Sequence, residues 1–229
     1  MKKLIAIPVL LMTVLVSYAQ VRYSITGGIN LTDLKNDWKL FDNPTIRPRF
    51  GYSFGFGLEI PVVNIFYTES QLTLISKNYA FDTEDFYGDG TKGYDRYSIL
   101  YLDLPIVAGY RYMDMRAFIG PFFDYCLGGT NQHNLEYFNG NTDEGTAGVD
   151  SQELKSSEIT EGIFPLKSQY SFDSGIILGV GYTCQSYSLD LSYSHGFVNI
   201  FPKVDNESIN RDDYSLYTRM LMLRLKIYI

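Results

Sequence analysis

The sequence predicts an all-β fold, an eight-stranded antiparallel transmembrane β-barrel with short periplasmic turns and long outer loops. Three observations predict it. The chain begins with an export signal, it contains eight segments in which apolar and polar residues alternate, and the connections between those segments are alternately short and long.

The beginning of the chain has the organisation of a secretory signal peptide. Two lysines precede an apolar run at 4–16, and small residues stand where a signal peptidase cleaves, between Ala19 and Gln20. We therefore expect a signal peptide at 1–19 and one outer-membrane β-barrel domain at 20–229. A retained membrane anchor is the alternative, but the apolar run is short for a membrane span. No cysteine lies near the cut, so a lipoprotein is not expected.

Composition narrows the class of protein further. After residue 20 no apolar run reaches the 18 residues of a membrane helix, which excludes a helical membrane protein. The net charge of −7 lacks the basic character that a nucleic-acid partner requires. Export without a helical span leaves a soluble secreted protein, a periplasmic protein or an outer-membrane barrel.

The eight alternating segments have the length of about ten residues that a tilted membrane strand needs. They cover roughly 21–31, 50–60, 65–78, 97–110, 116–128, 168–182, 186–196 and 215–229. In the second, for example, Phe54 and Phe56 alternate with Gly55 and Gly57. The third is the weakest, since serine and threonine dilute its apolar side.

The last segment shows which face meets lipid. Leu221, Leu223 and Leu225 fall on one side, whereas Arg224 and Lys226 fall on the other. A long aliphatic face on the final strand fits a barrel wall in a bilayer, where that strand must pair with the first to satisfy its backbone. Tyrosine and phenylalanine recur near the strand ends, as in the interfacial girdles of such barrels.

The connections alternate in length without exception. Those after the second, fourth and sixth strands are short, at 61–64, 112–115 and 183–185. Those after the first, third, fifth and seventh are long, at about 32–49, 79–96, 129–167 and 197–214. This asymmetry is typical of tight periplasmic turns and long outer loops, and an even number of strands places both chain ends in the periplasm.

Three stretches resemble the PorT-type outer-membrane β-barrel family of Gram-negative bacteria. They are YLDLPIVAGYRY (101–112), FDSGIILGVGY (172–182) and LDLSYSHGFVNI (189–200), and ESQLTLISKNYAF (69–81) is similar more loosely. The resemblance implies an eight-stranded barrel in the cell outer membrane. Some members of the family are linked to protein secretion. The expected partners are outer-membrane lipid, the barrel-assembly machinery, and lipopolysaccharide, which would meet the acidic outer loops through bridging divalent ions. Barrels of this kind usually end in an aromatic residue, whereas this chain ends in Ile229.

Charges of both signs fall at inward positions of the predicted strands. They are Arg22, Glu59, Asp103, Arg111, Arg116, Asp124, Asp173, Asp190, Arg224 and Lys226. Eight strands enclose a space that side chains can fill, and unpaired buried charges are costly. We therefore predict a plugged barrel with an interior polar network. A narrow pore for small solutes is the alternative.

The outer loops are predicted to be acidic and to carry the variable part of the function. A Ca²⁺ site from Asp82, Glu84, Asp85 and Asp89 is a weak possibility, because the spacing is not that of an EF-hand. A solvated acidic loop is the preferred reading, so neither a metal nor a cofactor is expected.

An enzymatic function is not expected. Some eight-stranded barrels modify lipid A with a histidine, a serine and an acid. Here Ser194 and His195 are adjacent in a strand, so their side chains point to opposite faces, and Asp190 points inward with Ser194. The two cysteines, Cys126 and Cys184, lie near opposite ends of the barrel and are predicted to be free thiols.

The resulting prediction is a non-catalytic outer-membrane protein with a structural, adhesion or secretion-accessory role. Secretion-system or surface proteins are the expected partners of its loops. A narrow pore, a lipid A-modifying enzyme and a soluble barrel with an apolar ligand inside are the alternatives.

Overall fold

The computed structural model describes residues 21–38, 45–63, 65–84, 92–136, 149–154, 172–200 and 214–229. Within these ranges the chain forms nine strands. They are β1 (Arg22–Trp38), β2 (Thr45–Val63), β3 (Phe66–Glu84), β4 (Lys92–Tyr112), β5 (Met115–Glu136), β6 (Val149–Leu154), β7 (Phe172–Cys184), β8 (Tyr187–Gly196) and β9 (Tyr214–Tyr228). The predicted signal peptide and the cleavage site at Ala19 and Gln20 lie outside the described residues.

Eight of these strands close into an antiparallel barrel, as predicted. Around the barrel the order is β1, β2, β3, β4, β5, β7, β8 and β9, and the last strand pairs with the first. The closing β1–β9 ladder runs from Ser24 opposite Tyr228 to Trp38 opposite Tyr214. Each of the eight strands is therefore hydrogen-bonded to a neighbour on both sides, as a sheet in a bilayer requires. The part of the chain described by the structure has no helix long and apolar enough to cross a membrane.

Short turns connect the strands at the predicted periplasmic end. Met113 and Asp114 join β4 to β5, and Gln185 and Ser186 join β7 to β8. Met113 and Gln185 have φ values of 53° and 45°, the left-handed conformation that opens a tight two-residue hairpin turn. At the outer end, the connections between strands cover 39–44, 85–91, 137–148, 155–171 and 197–213.

The strand bounds differ from the prediction at the outer end, where most strands continue. β2 begins at Thr45 rather than near 50, β3 runs to Glu84, and β4 begins at Lys92, so parts of the predicted loops 32–49 and 79–96 are strand. The reason is that, above the membrane, the apolar residues of these strands lie on the inner face of the barrel and not on its outer face. Tyr79 and Phe81 turn into the barrel, while the outward residues become polar or small.

A further strand, β6, was not predicted. It pairs with the outer part of β5 from Gly129 opposite Leu154 to Asn134 opposite Val149. β2 to β6 therefore form a tall wall above one side of the barrel, which we call the outer wall. On the opposite side β7 begins at Phe172 and β8 ends at Gly196, so that side is lower.

The outward face is an apolar belt with aromatic residues at both edges. Leucines occupy its middle, including Leu189, Leu191, Leu223 and Leu225, which are 41–48% exposed. Aromatic side chains at the edges are exposed, namely Phe50, Tyr52, Tyr125 and Phe172 at the outer edge and Tyr23, Phe66, Tyr110, Tyr182 and Tyr187 at the periplasmic edge. A barrel that is surrounded by the hydrocarbon core of a bilayer exposes aliphatic residues around its whole circumference.

Candidate functional site

Charged side chains fill the part of the barrel interior that is nearer the periplasm. Eight of the ten predicted inward charges are buried. The other two, Arg22 and Arg111, lie at the periplasmic mouth with side chains that are 35% and 23% exposed. Among the described side chains, two more buried charges belong to the interior, Glu69 and Lys77. Both lie an even number of residues from the inward Gln71 and Thr73 on β3, so they fall on the same face of that strand. This spacing is the sequence signal that could have identified them.

Arg116 is the centre of the charges nearest the periplasm. Its side chain is fully buried, and it lies 3.3 Å from Glu59, 3.4 Å from Asp190 and in contact with Glu69. It also donates to the hydroxyl of Tyr228 at 2.8 Å. We call Arg116, Glu59, Glu69, Asp190 and Lys226 the lower charge cluster.

Lys226 completes this cluster from β9. Its ammonium lies 2.7 Å from Asp190 and also contacts Glu69. At the mouth, Arg111 donates to both carboxylate oxygens of Glu59, at 2.9 and 2.8 Å. Each carboxylate of the cluster therefore faces at least one cation, which offsets the cost of removing the charges from water.

A second group of charges, the upper charge cluster, lies nearer the outer leaflet. Asp103, Asp124 and Asp173 are in register on the adjacent strands β4, β5 and β7. Lys77 faces this row, 2.6 Å from Asp124 and 3.4 Å from Asp173. Arg224 lies 3.9 Å from Asp103.

The two clusters together are close to neutral. Among the described side chains, the six buried acids of the interior face four buried bases, Lys77, Arg116, Arg224 and Lys226. The partly exposed Arg22 and Arg111 at the mouth bring the bases to six. An interior that is balanced in this way does not present a field of one sign to a passing ion.

Aromatic rings fill the space that inward glycines leave free. A Cβ on Gly179 would collide with the ring of Phe118, and one on Gly109 would collide with Tyr67. The Arg116 guanidinium lies 4.8 Å from the Tyr67 ring and 5.4 Å from the Phe118 ring. Glycine on one strand thus lets a ring from the next strand cross the lumen and contact the cations.

The outer part of the lumen is closed by apolar side chains, which we call the apolar plug. Its members are Leu34, Ile75, Tyr79, Phe81, Tyr97, Ile99, Tyr101, Cys126, Ile200, Leu216, Met220 and Met222. Each is at most 5% exposed. Tyr79 and Tyr97 stack with a centroid separation of 5.5 Å, and Phe81 packs edge-on against Tyr97. The plug places a water-excluding layer above the charges.

The weak metal candidates do not form a site within the described residues. Asp82 pairs with Arg47 at 2.5 Å through one of its two carboxylate oxygens. Glu84 ends β3, and Asp85 and Asp89 lie outside the described residues. No group of three or more potential metal ligands occurs in the described ranges.

The histidine and serine considered for catalysis are separated by the barrel wall. Ser194 is buried on the inner side, whereas His195 lies on the outer side and contacts the ring of Phe197. Asp190, the nearest acid along β8, is engaged by Lys226. Cys126 and Cys184 are both free, as predicted, the first buried in the apolar plug and the second exposed at the end of β7.

Comparisons with known proteins found similar solved structures and a family that matches the chain. Among solved structures, similar chains include the attachment invasion locus protein Ail of Yersinia pestis in complex with the heparin analogue sucrose octasulfate. It is 13% identical, with 91% of this chain and 99% of that chain covered and a TM-score of 0.39. Neisserial surface protein A is 10% identical, with 90% and 96% covered and a TM-score of 0.35. The N-terminal β-barrel domain of Pseudomonas aeruginosa OprF is also 10% identical, with 92% and 100% covered and a TM-score of 0.29.

A search among curated proteins gave no match. The family described as outer membrane protein beta-barrel domain matches residues 18–202, which is most of the chain. That match and the closed barrel with its apolar belt place the protein in the outer membrane. The chain belongs to the outer membrane protein beta-barrel domain family.

Proposed function

We propose that this protein is a non-catalytic, closed outer-membrane barrel of the PorT type that serves as a scaffold for contacts at the cell surface. The observation that carries the proposal is the filled lumen. The two charge clusters occupy its periplasmic part, and the apolar plug occupies its outer part. A barrel packed in this way is suited to rigid display rather than to transport.

The height of the outer wall supports the scaffold role. On β4, Lys92 lies eight residues before Leu100, where the apolar belt ends. That length corresponds to about 26 Å of strand beyond the belt at roughly 3.3 Å per residue. A wall of this size, connected to a barrel with a filled lumen, provides a surface for an adhesion partner or for a secretion-system protein.

Single-channel recording tests the closed lumen. We expect the wild-type protein in a planar bilayer to give no stable steps of nanosiemens size, because side chains fill its cross-section. The double variant Tyr79→Ala/Tyr97→Ala removes the stacked rings of the plug and should increase brief openings. Tyr193→Ala removes an outward ring and serves as the matched control. Stable nanosiemens steps from the wild type would favour the alternative, a narrow pore.

Site-specific photo-crosslinking in cells tests the surface contact. A photoreactive amino acid at Thr45 or Thr130, both exposed on the outer wall, should give adducts with a protein that mass spectrometry can identify. The same amino acid at Leu104, in the apolar belt, is the control and should react with lipid only. Adducts with lipid or lipopolysaccharide alone at all three positions would remove the surface-partner part of the proposal and leave the closed barrel intact.

A further inference from the structure

Four aromatic side chains form a continuous ridge on the outward face of β2. They are Phe50, Tyr52, Phe54 and Phe56, which are 55–72% exposed, and we call them the β2 ridge. The rings of Phe54 and Phe56 contact each other edge-on, with their centroids 6.0 Å apart. The residues that alternate with these rings on the inner face are glycine or serine, so the side-chain volume of this part of the strand lies on the lipid side.

The ridge extends from the outer edge of the apolar belt to the centre of the bilayer. From Phe50 to Ile60 the strand rises about 25 Å at a tilt of about 40°, which is the height of the apolar band of a membrane barrel. Phe54 and Phe56 therefore lie on either side of the mid-plane. Aromatic residues of such barrels are concentrated at the two interfaces, which accounts for Phe50 and Tyr52 but not for Phe54 and Phe56.

The opposite side of the barrel has no such ridge among its described residues. At the middle of β4, β7, β8 and β9 the outward positions are held by Leu104, Leu178, Leu191 and Leu223. Lipid surrounds a barrel evenly, so a preference of lipid chains for aromatic side chains would place them at this depth on every strand. The uneven distribution indicates that β2 meets a protein surface.

A groove lies beside the ridge on β1. Gly27 is the register partner of Phe54 and shares the outward face of β1 with Ile25 and Ile29. A Cβ on Gly27 would have its nearest contact at 3.9 Å, with the backbone oxygen of Ser53, and the φ angle of Gly27 is not in the left-handed region. The barrel itself therefore does not require glycine here, which leaves the gap beside the two projecting rings as the role of Gly27.

We propose that the β2 ridge and the groove at Gly27 form the interface of a homodimer within the outer membrane. Two copies in one membrane have the same orientation, so a two-fold axis that relates them is parallel to the membrane normal. Around such an axis between β1 and β2, β2 of each copy faces β1 of the other, and the rings of Phe54 and Phe56 pack onto Gly27 of the second copy. Close packing at small residues drives association in lipid, where no hydrophobic force acts between proteins.

The ridge is large enough for a specific interface. An aromatic side chain has roughly 200 Å² of surface, so covering the exposed part of the four rings in both copies removes about 1,000 Å². That area reaches the total of about 1,000 Å² that a specific interface requires. The flanking Ile25, Ile29 and Leu72, which are 36–55% exposed, add to it. The dimer depends on the membrane location of the barrel and is independent of the surface partner.

Energy transfer between copies of the full-length folded protein in lipid vesicles tests the dimer. The exposed thiol of Cys184 accepts a donor or an acceptor dye, whereas Cys126 is buried. We expect transfer above the level of randomly placed copies to persist when lipid is added in excess. Gly27→Val fills the groove, and Phe54→Leu/Phe56→Leu lowers the ridge. Each variant should weaken the dimer by roughly tenfold, because each substitution alters the interface twice.

The control variant places the same valine elsewhere on the belt. Ala117→Val adds it to the outward face of β5, three strands from the ridge, and should leave the energy transfer unchanged. Gel mobility before and after boiling shows whether each variant is folded, and either of the two interface variants is sufficient for the test. The proposal is overturned if wild-type transfer falls to the random level on dilution, or if the folded interface variants associate like the wild type.

Photo-crosslinking in cells identifies what covers the ridge. A photoreactive phenylalanine analogue in place of Phe54 should give an adduct with twice the mass of the chain. The same analogue in place of Leu178, on the opposite side of the barrel, should react with lipid. Adducts of the analogue at position 54 with lipid alone, or with a different protein, would contradict the dimer.

Discussion

Arg116→Met should reduce the free energy of unfolding by about 3–5 kcal/mol, the usual cost of removing one partner from a buried ion pair. The side chain of Arg116 is fully buried between Glu59, Glu69 and Asp190. Methionine fills a similar volume but supplies no charge. Three carboxylates would then share Lys226 and the arginines of the mouth, and the lower charge cluster would contain an excess of buried negative charge.

Urea unfolding of the protein in lipid vesicles would measure this loss. Arg22→Gln is the matched control, because its ion pair with Glu59 is partly exposed and should contribute at most about 1 kcal/mol. The double variant Arg116→Met/Glu69→Gln should recover part of the loss, since it removes one of the carboxylates left unpaired. If Arg116→Met and Arg22→Gln had equal effects, the lower charge cluster would not be a determinant of stability.

Leu223→Arg should destabilise the folded protein in a bilayer by about 2–4 kcal/mol. Leu223 is an outward residue in the middle of β9, with Ile29 and Leu191 as its neighbours on β1 and β8. The substitution would place a guanidinium in the hydrocarbon core. The cost depends on depth, so Ile229→Arg at the periplasmic end should cost only about 0–1 kcal/mol.

The same pair of variants distinguishes a membrane barrel from a soluble one. If a barrel with the observed faces were soluble, Leu223 would face water, and arginine would be tolerated at both positions. The measurement is the difference between the two unfolding free energies in vesicles of one composition. A difference near zero would contradict the lipid-facing assignment of this strand.

The sequence by itself determined the barrel. Alternation with a period of two depends only on the residues of each strand, and a bilayer requires a continuous apolar face on every wall. For this reason the strand number, the antiparallel order, the periplasmic turns and the inward side of residues such as Asp190 and Arg224 could be predicted. The match of the family to residues 18–202 agrees with this prediction.

The outer third of the molecule could not be predicted from alternation. Above the membrane the outward face meets water and headgroups, so the apolar residues of β3 and β4 change to the inner side. Tyr79, Phe81 and Tyr97 consequently close the lumen although their segments were predicted to be loop or strand end. The strand β6 is too polar and too short to give an apolar pattern.

Only the tertiary structure decided which charges meet. Arg116 contacts Glu69 and Asp190, and Lys77 contacts Asp124 and Asp173, across strands that are distant in sequence. Such pairs depend on the stagger of the closed barrel and on the reach of each side chain across the lumen, and neither is a local property of a strand.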